Sequence, residues 1–290
     1  MRGLVIKGIG GFYFVKTDEG VYRAKARGLF KKDKNLISVG DEVELQVAEN
    51  VEDDSWITEI MPRKNHFLRP PISNVDNMVV VFSVSNPEPN LLVIDKLLVV
   101  AEMKGVKPII CINKEDLNDG NLLSKYIDIY KDIYPVFVTE AISGDGLSDL
   151  RDAISGGKTA LAGPSGVGKS TITNYLVPDA DMETGEVNIK TFRGKHTTRH
   201  VEIFEFEGGY LFDTPGFTSL DIDHDDELIL QECFPEFRKL EKCKFDDCMH
   251  INEPDCQVIK AYNEGRISES RYNSYISMVK EVKERKKHYE

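Results

Sequence analysis

The stretch Gly163-Pro164-Ser165-Gly166-Val167-Gly168-Lys169-Ser170 has the spacing GxxxxGKS, and it decides the fold of the middle of the chain. Its glycines let backbone N–H groups turn inward around an anion at the start of a helix, where the helix dipole also favours negative charge. The context agrees, because residues 159–162 read as a short buried strand and residues 170–176 as the helix that follows. Gly163, Pro164, Ser165, Gly166, Val167 and Gly168 are expected to wrap a phosphate chain. Lys169 would reach the β and γ phosphates, the Ser170 hydroxyl would ligate Mg²⁺, and Thr171 would stand beside them.

Outward from this loop, residues 78–84, 108–112, 136–139 and 210–212 are further short apolar runs, with helical patterns at 91–104, 122–134 and 146–154. Buried strands separated by amphipathic helices predict a mostly parallel sheet covered on both faces. Residues 1–67 differ. Runs at 4–9, 12–16, 21–26, 42–47 and 56–61, broken by glycine turns, predict five strands closed into an OB-like barrel. Phe12, Tyr13, Phe14, Tyr22 and Phe30 lie there among Lys16, Arg23, Lys25, Arg27, Lys31 and Lys32. Period two sends half of such aromatics inward, so they are expected mainly in the barrel core. A linker is expected over 61–71, and from about 221 strand signals give way to acidic, Cys-rich and finally Lys-rich helical sequence. The predicted organisation is a barrel at 1–67, an α/β domain at 68–220 and a helical unit at 221–290.

The whole chain of 290 residues carries a net charge of −12 with 41% hydrophobic residues. That is apolar enough for proper cores, and no apolar run approaches the roughly 20 residues of a membrane span. A lysine interrupts the N-terminal apolar run before it reaches signal-peptide length, so a cytoplasmic protein is expected. The charge is unevenly spread. Residues 1–40 hold nine Lys/Arg against three Asp/Glu, and the last twenty hold six against three. An acidic chain with basic ends can still dock a phosphate backbone.

Two further motifs carry chemistry. Asp213-Thr214-Pro215-Gly216 follows the run at 210–212; a carboxylate there can hold a magnesium-bound water while the Gly216 N–H meets a γ-phosphate. Asn113-Lys114-Glu115-Asp116 follows the run at 108–112. One carboxylate, Asp116, can accept both N1–H and the N2 amino group of guanine, with Asn113 and Lys114 as buttresses of the base and the phosphate loop. Separately, Cys243-x₄-Cys248-x-His250-x₅-Cys256 offers three thiolates and one imidazole, a closed tetrahedral set suited to one structural Zn²⁺. Cys233 stands apart by spacing, and Cys111 reads as a small core residue.

These phosphate, magnesium and guanine elements resemble those of the GTPase superfamily, but in a rotated order: NKED comes first, then the phosphate loop, then Thr197-Thr198, then DTPG. A circular permutation of this kind is permissible because domain termini often lie close together. The base-contacting loop usually written Ser-Ala would fall at Thr139-Glu140-Ala141, where Glu140 departs from the pattern. With the barrel, the Cys/His set and Gly194-Lys195-His196-Thr197-Thr198, the chain resembles the ribosome small-subunit-dependent GTPase A family (RsgA/YjeQ type) over essentially its whole length. The resemblance implies GTP hydrolysis in late maturation of the small ribosomal subunit, with nucleotide-dependent binding to that subunit and to 16S rRNA. It implies GTP/GDP, Mg²⁺ and Zn²⁺ as ligands, and a monomer.

The residue after the DTPG glycine is Phe217 rather than a water-orienting glutamine. His196 is therefore the expected catalytic group, since imidazole can position or deprotonate water near neutral pH. Thr197 and Thr198 compete for Mg²⁺ or the γ-phosphate, and the spacing does not choose between them. Two other classes of function fit parts of the chain: a P-loop kinase of small molecules, and a non-catalytic RNA-binding module with GTP as a structural ligand.

Overall fold

The computed structural model describes residues 1–27, 36–48, 53–180, 201–213, 222 and 227–289, with the backbone alone at 179, 213 and 286–289. The chain divides into two compact units: Met1–Met78, Leu147–Ala162 and Lys169–Thr218 form one, and Val79–Gly146, Gly163–Gly168 and Ser219–Glu290 the other.

The first unit opens with β1 (Arg2–Ile9), β2 (Phe12–Thr17), β3 (Gly20–Ala26), β4 (Glu42–Gln46) and β5 (Ser55–Ile60). β1 pairs with β2, β2 with β3 and β4 with β5, all antiparallel; β3–β5 is parallel, and β1–β4 closes the circuit. The order 1-2-3-5-4-1 is an OB-like barrel. Alternation along each strand sends Val5, Val15, Ala24, Val43, Leu45 and Ile57 into its core, the valines, leucine and isoleucine each contributing about 1.5–3 kcal/mol of burial. That core is aliphatic, which corrects the expectation for the aromatics. Tyr13 and Tyr22 are partly buried and pack against it, and Phe12 carries the Arg23 guanidinium 5.3 Å and the Lys25 ammonium 4.9 Å from its ring centre. Phe30 lies outside the described residues.

The expected linker folds too. Its β6 (His66–Leu68) and β7 (Pro71–Ser73) form a short hairpin. The fully buried Asp41 carboxylate accepts from Arg63 Nε at 2.7 Å, Ser73 Oγ at 2.6 Å and the Ser38 amide at 2.7 Å, so the hairpin is fixed to the barrel. Later in this unit come α3 (Leu147–Ile154), β11 (Lys158–Ala162), α4 (Lys169–Leu176), β12 (Glu202–Phe206) and β13 (Gly209–Asp213). β11 and β13 are parallel, as the sequence pattern predicts. β12 is an unexpected strand: it pairs antiparallel with β13 and meets β1, where Lys7 bonds Glu202.

The strand β8 (Asn77–Ser83) leads into the second unit, followed by α1 (Leu91–Met103), β9 (Lys107–Asn113), α2 (Leu122–Tyr130) and β10 (Val136–Thr139). All seven residues of β8 are buried, as are six of β9, which is why both read as unbroken apolar runs rather than alternation. Asn90 caps α1 by accepting from the Leu92 and Val93 amides. The C-terminal part contributes α5 (Glu227–Glu232), α6 (Pro235–Arg238), α7 (Gln257–Asn263) and α8 (Glu269–Tyr289). On α8, the fully buried Arg271 bonds Asp95 of α1 and Glu236 of α6, each at 2.8 Å. Lys96 and Glu281 pair α1 with α8 farther along. Among the described residues no helix is long and apolar enough to cross a membrane.

Candidate functional site

β9 ends in Asn113, which is only 2% exposed. A buried amide must find partners, and this one finds three. Its Nδ2 donates to the Val167 carbonyl of the phosphate loop at 2.8 Å, while Oδ1 accepts from Thr139 Oγ1 and from the Ala141 amide, both at 3.0 Å. One side chain therefore ties the NKED segment, the phosphate loop and the loop after β10 together. The next residue, Lys114, has a left-handed backbone (φ 62°) and donates from Nζ to the Asn86 carbonyl at 2.6 Å. Asp116 follows on an exposed 3₁₀ turn over Glu115–Leu117.

The phosphate loop leaves β11 at Gly163 and enters α4 at Lys169. Two of its glycines are obligatory. A Cβ on Gly168 would stand 2.3 Å from Asn113 Nδ2, and one on Gly163 would stand 2.0 Å from the Val81 carbonyl oxygen, both from positive φ. Val167 is buried while Ser165 and Gly166 are exposed, so the loop is anchored at its base and open at its crest. Burial pulls the Lys169 ammonium down to about 8, a cost that a bound phosphate would offset. Ser170 and Thr171 are half-buried in the first turn of α4. Asp213 closes β13. His196, Thr197, Thr198 and Gly216 lie outside the described residues.

In the second unit Cys243, Cys248, His250 and Cys256 converge, their ligand atoms all within 4.8 Å of one another. His250 Nδ1 stands 3.6, 3.4 and 3.2 Å from the Cys243, Cys248 and Cys256 sulfurs, and Cys243 and Cys256 are 3.8 Å apart. A tetrahedral zinc with bonds of about 2.3 Å to sulfur and about 2.0 Å to nitrogen sets S···S edges of about 3.8 Å and S···N edges of about 3.5 Å. The residues fit such an ion. Burial pushes the Cys248 thiol up to about 12, so three thiolates share this space only around a cation that offsets their charge. A cavity of about 420 Å³ is lined in part by Cys243, Cys248 and His250. Cys233 points elsewhere, toward the Ile229 carbonyl.

The sequence marks Thr139 only as part of the expected base-contacting loop Thr139-Glu140-Ala141 and marks neither Asn86 nor Gln231 as a partner of these sites. Gln231 bonds the far nitrogen of His250. A polar residue such as Thr139 at the end of an otherwise apolar strand was the available signal for one of them; the other two carry none.

The family described as RsgA GTPase matches residues 60–223, and the RsgA N-terminal domain matches residues 2–57. The chain belongs to the RsgA GTPase family. The small ribosomal subunit biogenesis GTPase RsgA of Caldanaerobacter subterraneus subsp. tengcongensis is 43% identical over 290 residues, covering 99% of this chain and 97% of that protein. The protein of the same name from Alkaliphilus metalliredigens is 42% identical, with 99% of each chain covered. Among solved structures, YjeQ from Thermotoga maritima superimposes with a TM-score of 0.84 at 35% identity, over 97% of this chain and 98% of its own. YloQ, described as a circularly permuted GTPase, gives 0.81 at 35% identity over 98% and 95%. Membership favours the GTP hydrolase over the kinase and the non-catalytic module.

Proposed function

We propose that this chain is a GTP hydrolase that acts in late maturation of the small ribosomal subunit, binding the subunit and its 16S rRNA according to the nucleotide it holds. The observation that carries this reading is the Asn113 junction, which joins a guanine-type motif to a phosphate loop standing after it in the chain, together with relatives named for small-subunit biogenesis. Asp116 reads guanine, with Asn113 and Lys114 as buttresses. Residues Gly163 to Gly168 wrap the phosphates, Lys169 neutralises them, and Ser170 and Thr171 open the helix beneath. Mg²⁺ is held by Ser170 and Asp213 with Thr197 or Thr198, Gly216 senses the γ-phosphate, and His196 positions the attacking water. The Cys243, Cys248, His250 and Cys256 set holds one structural zinc.

In this reading residues 1–67 are an RNA-facing barrel, 68–220 the permuted GTPase domain and 221–290 the zinc-bearing unit of a cytoplasmic monomer. Exposed Arg23 and half-buried Lys25, which flank Phe12 and both pair with Asp54, support an RNA contact on the barrel.

Nucleotide competition tests the assignment. Bound fluorescent GDP should be displaced by GTP and not by ATP. Asp116→Asn should weaken GTP binding by a few kcal/mol, since a charge-assisted bond contributes about 1.5–3, and should shift preference toward xanthine nucleotides. Unchanged guanine selectivity in that variant would sink the role of this loop.

A further inference from the structure

His250 has two ring nitrogens, and the geometry gives them different work. Nδ1 faces the three sulfurs. Nε2, on the opposite edge of the ring, lies 2.5 Å from Oε1 of Gln231 on α5. An amide oxygen only accepts, so this contact requires the proton of the neutral imidazole to sit on Nε2 and leaves the lone pair on Nδ1. The remaining contacts fix the backbone and the ring face. The Tyr272 hydroxyl donates to the His250 carbonyl and the Tyr275 hydroxyl to the Met249 carbonyl, each at 2.8 Å. Phe237 meets the ring edge-on at 5.8 Å. None of these selects a tautomer. Among the described residues, Gln231 alone bonds the distal nitrogen.

We propose that Gln231 is the positioning residue of the metal centre: its amide oxygen holds the Nε2 proton of His250 and thereby commits Nδ1 to the ion. This rests on the reading of the Cys₃His set as a zinc site. Outer partners of this kind orient a ligating imidazole and raise its basicity, and their loss weakens metal binding about 10- to 100-fold. Gln231 lies nineteen residues before His250 in the chain, so the contact also makes the placement of α5 part of metal binding. By linkage, whatever displaces α5 weakens the metal, and metal loss loosens α5 to the same degree.

The test is a chelator competition on the full-length protein, with zinc as the probe, and the visible spectrum of the cobalt-substituted form as a second readout. Gln231→Met, similar in shape and unable to accept a strong hydrogen bond, should bind zinc about 10- to 100-fold more weakly and shift the cobalt ligand-field bands. Gln231→Glu, which keeps an acceptor at the same reach, should restore both. Gln231→Ser, too short to reach Nε2, provides a second removal should the Met variant fold poorly. GDP binding serves as the control for intact protein in every variant. Zinc affinity and a cobalt spectrum unchanged in Gln231→Met or Gln231→Ser would overturn the proposal while leaving the zinc site standing. A wild-type protein that takes up no stoichiometric zinc would overturn the metal reading itself and the proposal with it.

Discussion

At Asn113 a single carboxamide makes three bonds from a buried position, so its removal should be felt in two ways. Asn113→Ala leaves the Val167 carbonyl and the Ala141 amide unpaired, at about 1–3 kcal/mol for each buried group. The expected outcome is a lower unfolding midpoint together with GDP binding at least about tenfold weaker, which calorimetry reads directly; a variant with wild-type GDP affinity would contradict the junction. Lys169 gives a pH signature. Its ammonium is lowered by burial to about 8 from 10.5, so between those values the folded protein binds fewer protons than the unfolded one. Stability therefore rises with pH across that window, and below it the burial penalty is fully present. Phosphates favour the charged form, so nucleotide binding above about pH 8 must take up a proton, and GTP affinity should fall by up to about tenfold per pH unit there. A dissociation constant flat from about pH 7 to 9.5 would contradict this. The motifs NKED and GxxxxGKS were legible because their chemistry fixes residue type and spacing. The Asn86 partner was not, since a carbonyl brought close by folding leaves no spacing to read.

Among the elements, α1, α6 and α8 meet at Arg271, whose guanidinium is fully buried between Asp95 and Glu236 and 4.5 Å from the Phe234 ring centre. Tyr130 adds a hydrogen bond to the same Asp95 oxygen. Arg271→Met removes the cation and strands two buried carboxylates, which should cost about 3–5 kcal/mol. Urea denaturation would show it, and the triple variant with Asp95→Leu and Glu236→Leu should recover much of the loss. A single variant as stable as the wild type would mean that the cluster does not clamp these helices. Nothing in the sequence distinguished Arg271 from a surface cation, because burial of an ion is a tertiary fact. The barrel strands were legible to within two residues, since alternation and glycine turns are local. β12 was missed: in Glu202-Ile203-Phe204-Glu205-Phe206 the two glutamates fall on opposite faces, so neither face reads as apolar throughout, and its partner β1 lies near the other end of the chain. The hairpin inside the expected linker was hidden by prolines, and the buried Asp41 that anchors it reads as one acid among many.

For the molecule as a whole, the rotated motif order means that the chain runs from DTPG directly into the sequence leading to α5 and the Cys/His set. A hydrolase with Phe217 where many relatives of the superfamily place glutamine should be slow alone and depend on its docking site to complete catalysis. The most direct measurement is GTP turnover titrated separately with purified small and large ribosomal subunits, for the wild type and for His196→Ala. Small subunits alone should stimulate turnover saturably, and His196→Ala should lose about 10²- to 10⁴-fold of the stimulated rate with GTP affinity nearly intact. Turnover that small subunits leave unchanged, or that large subunits stimulate equally, would contradict a small-subunit-dependent hydrolase.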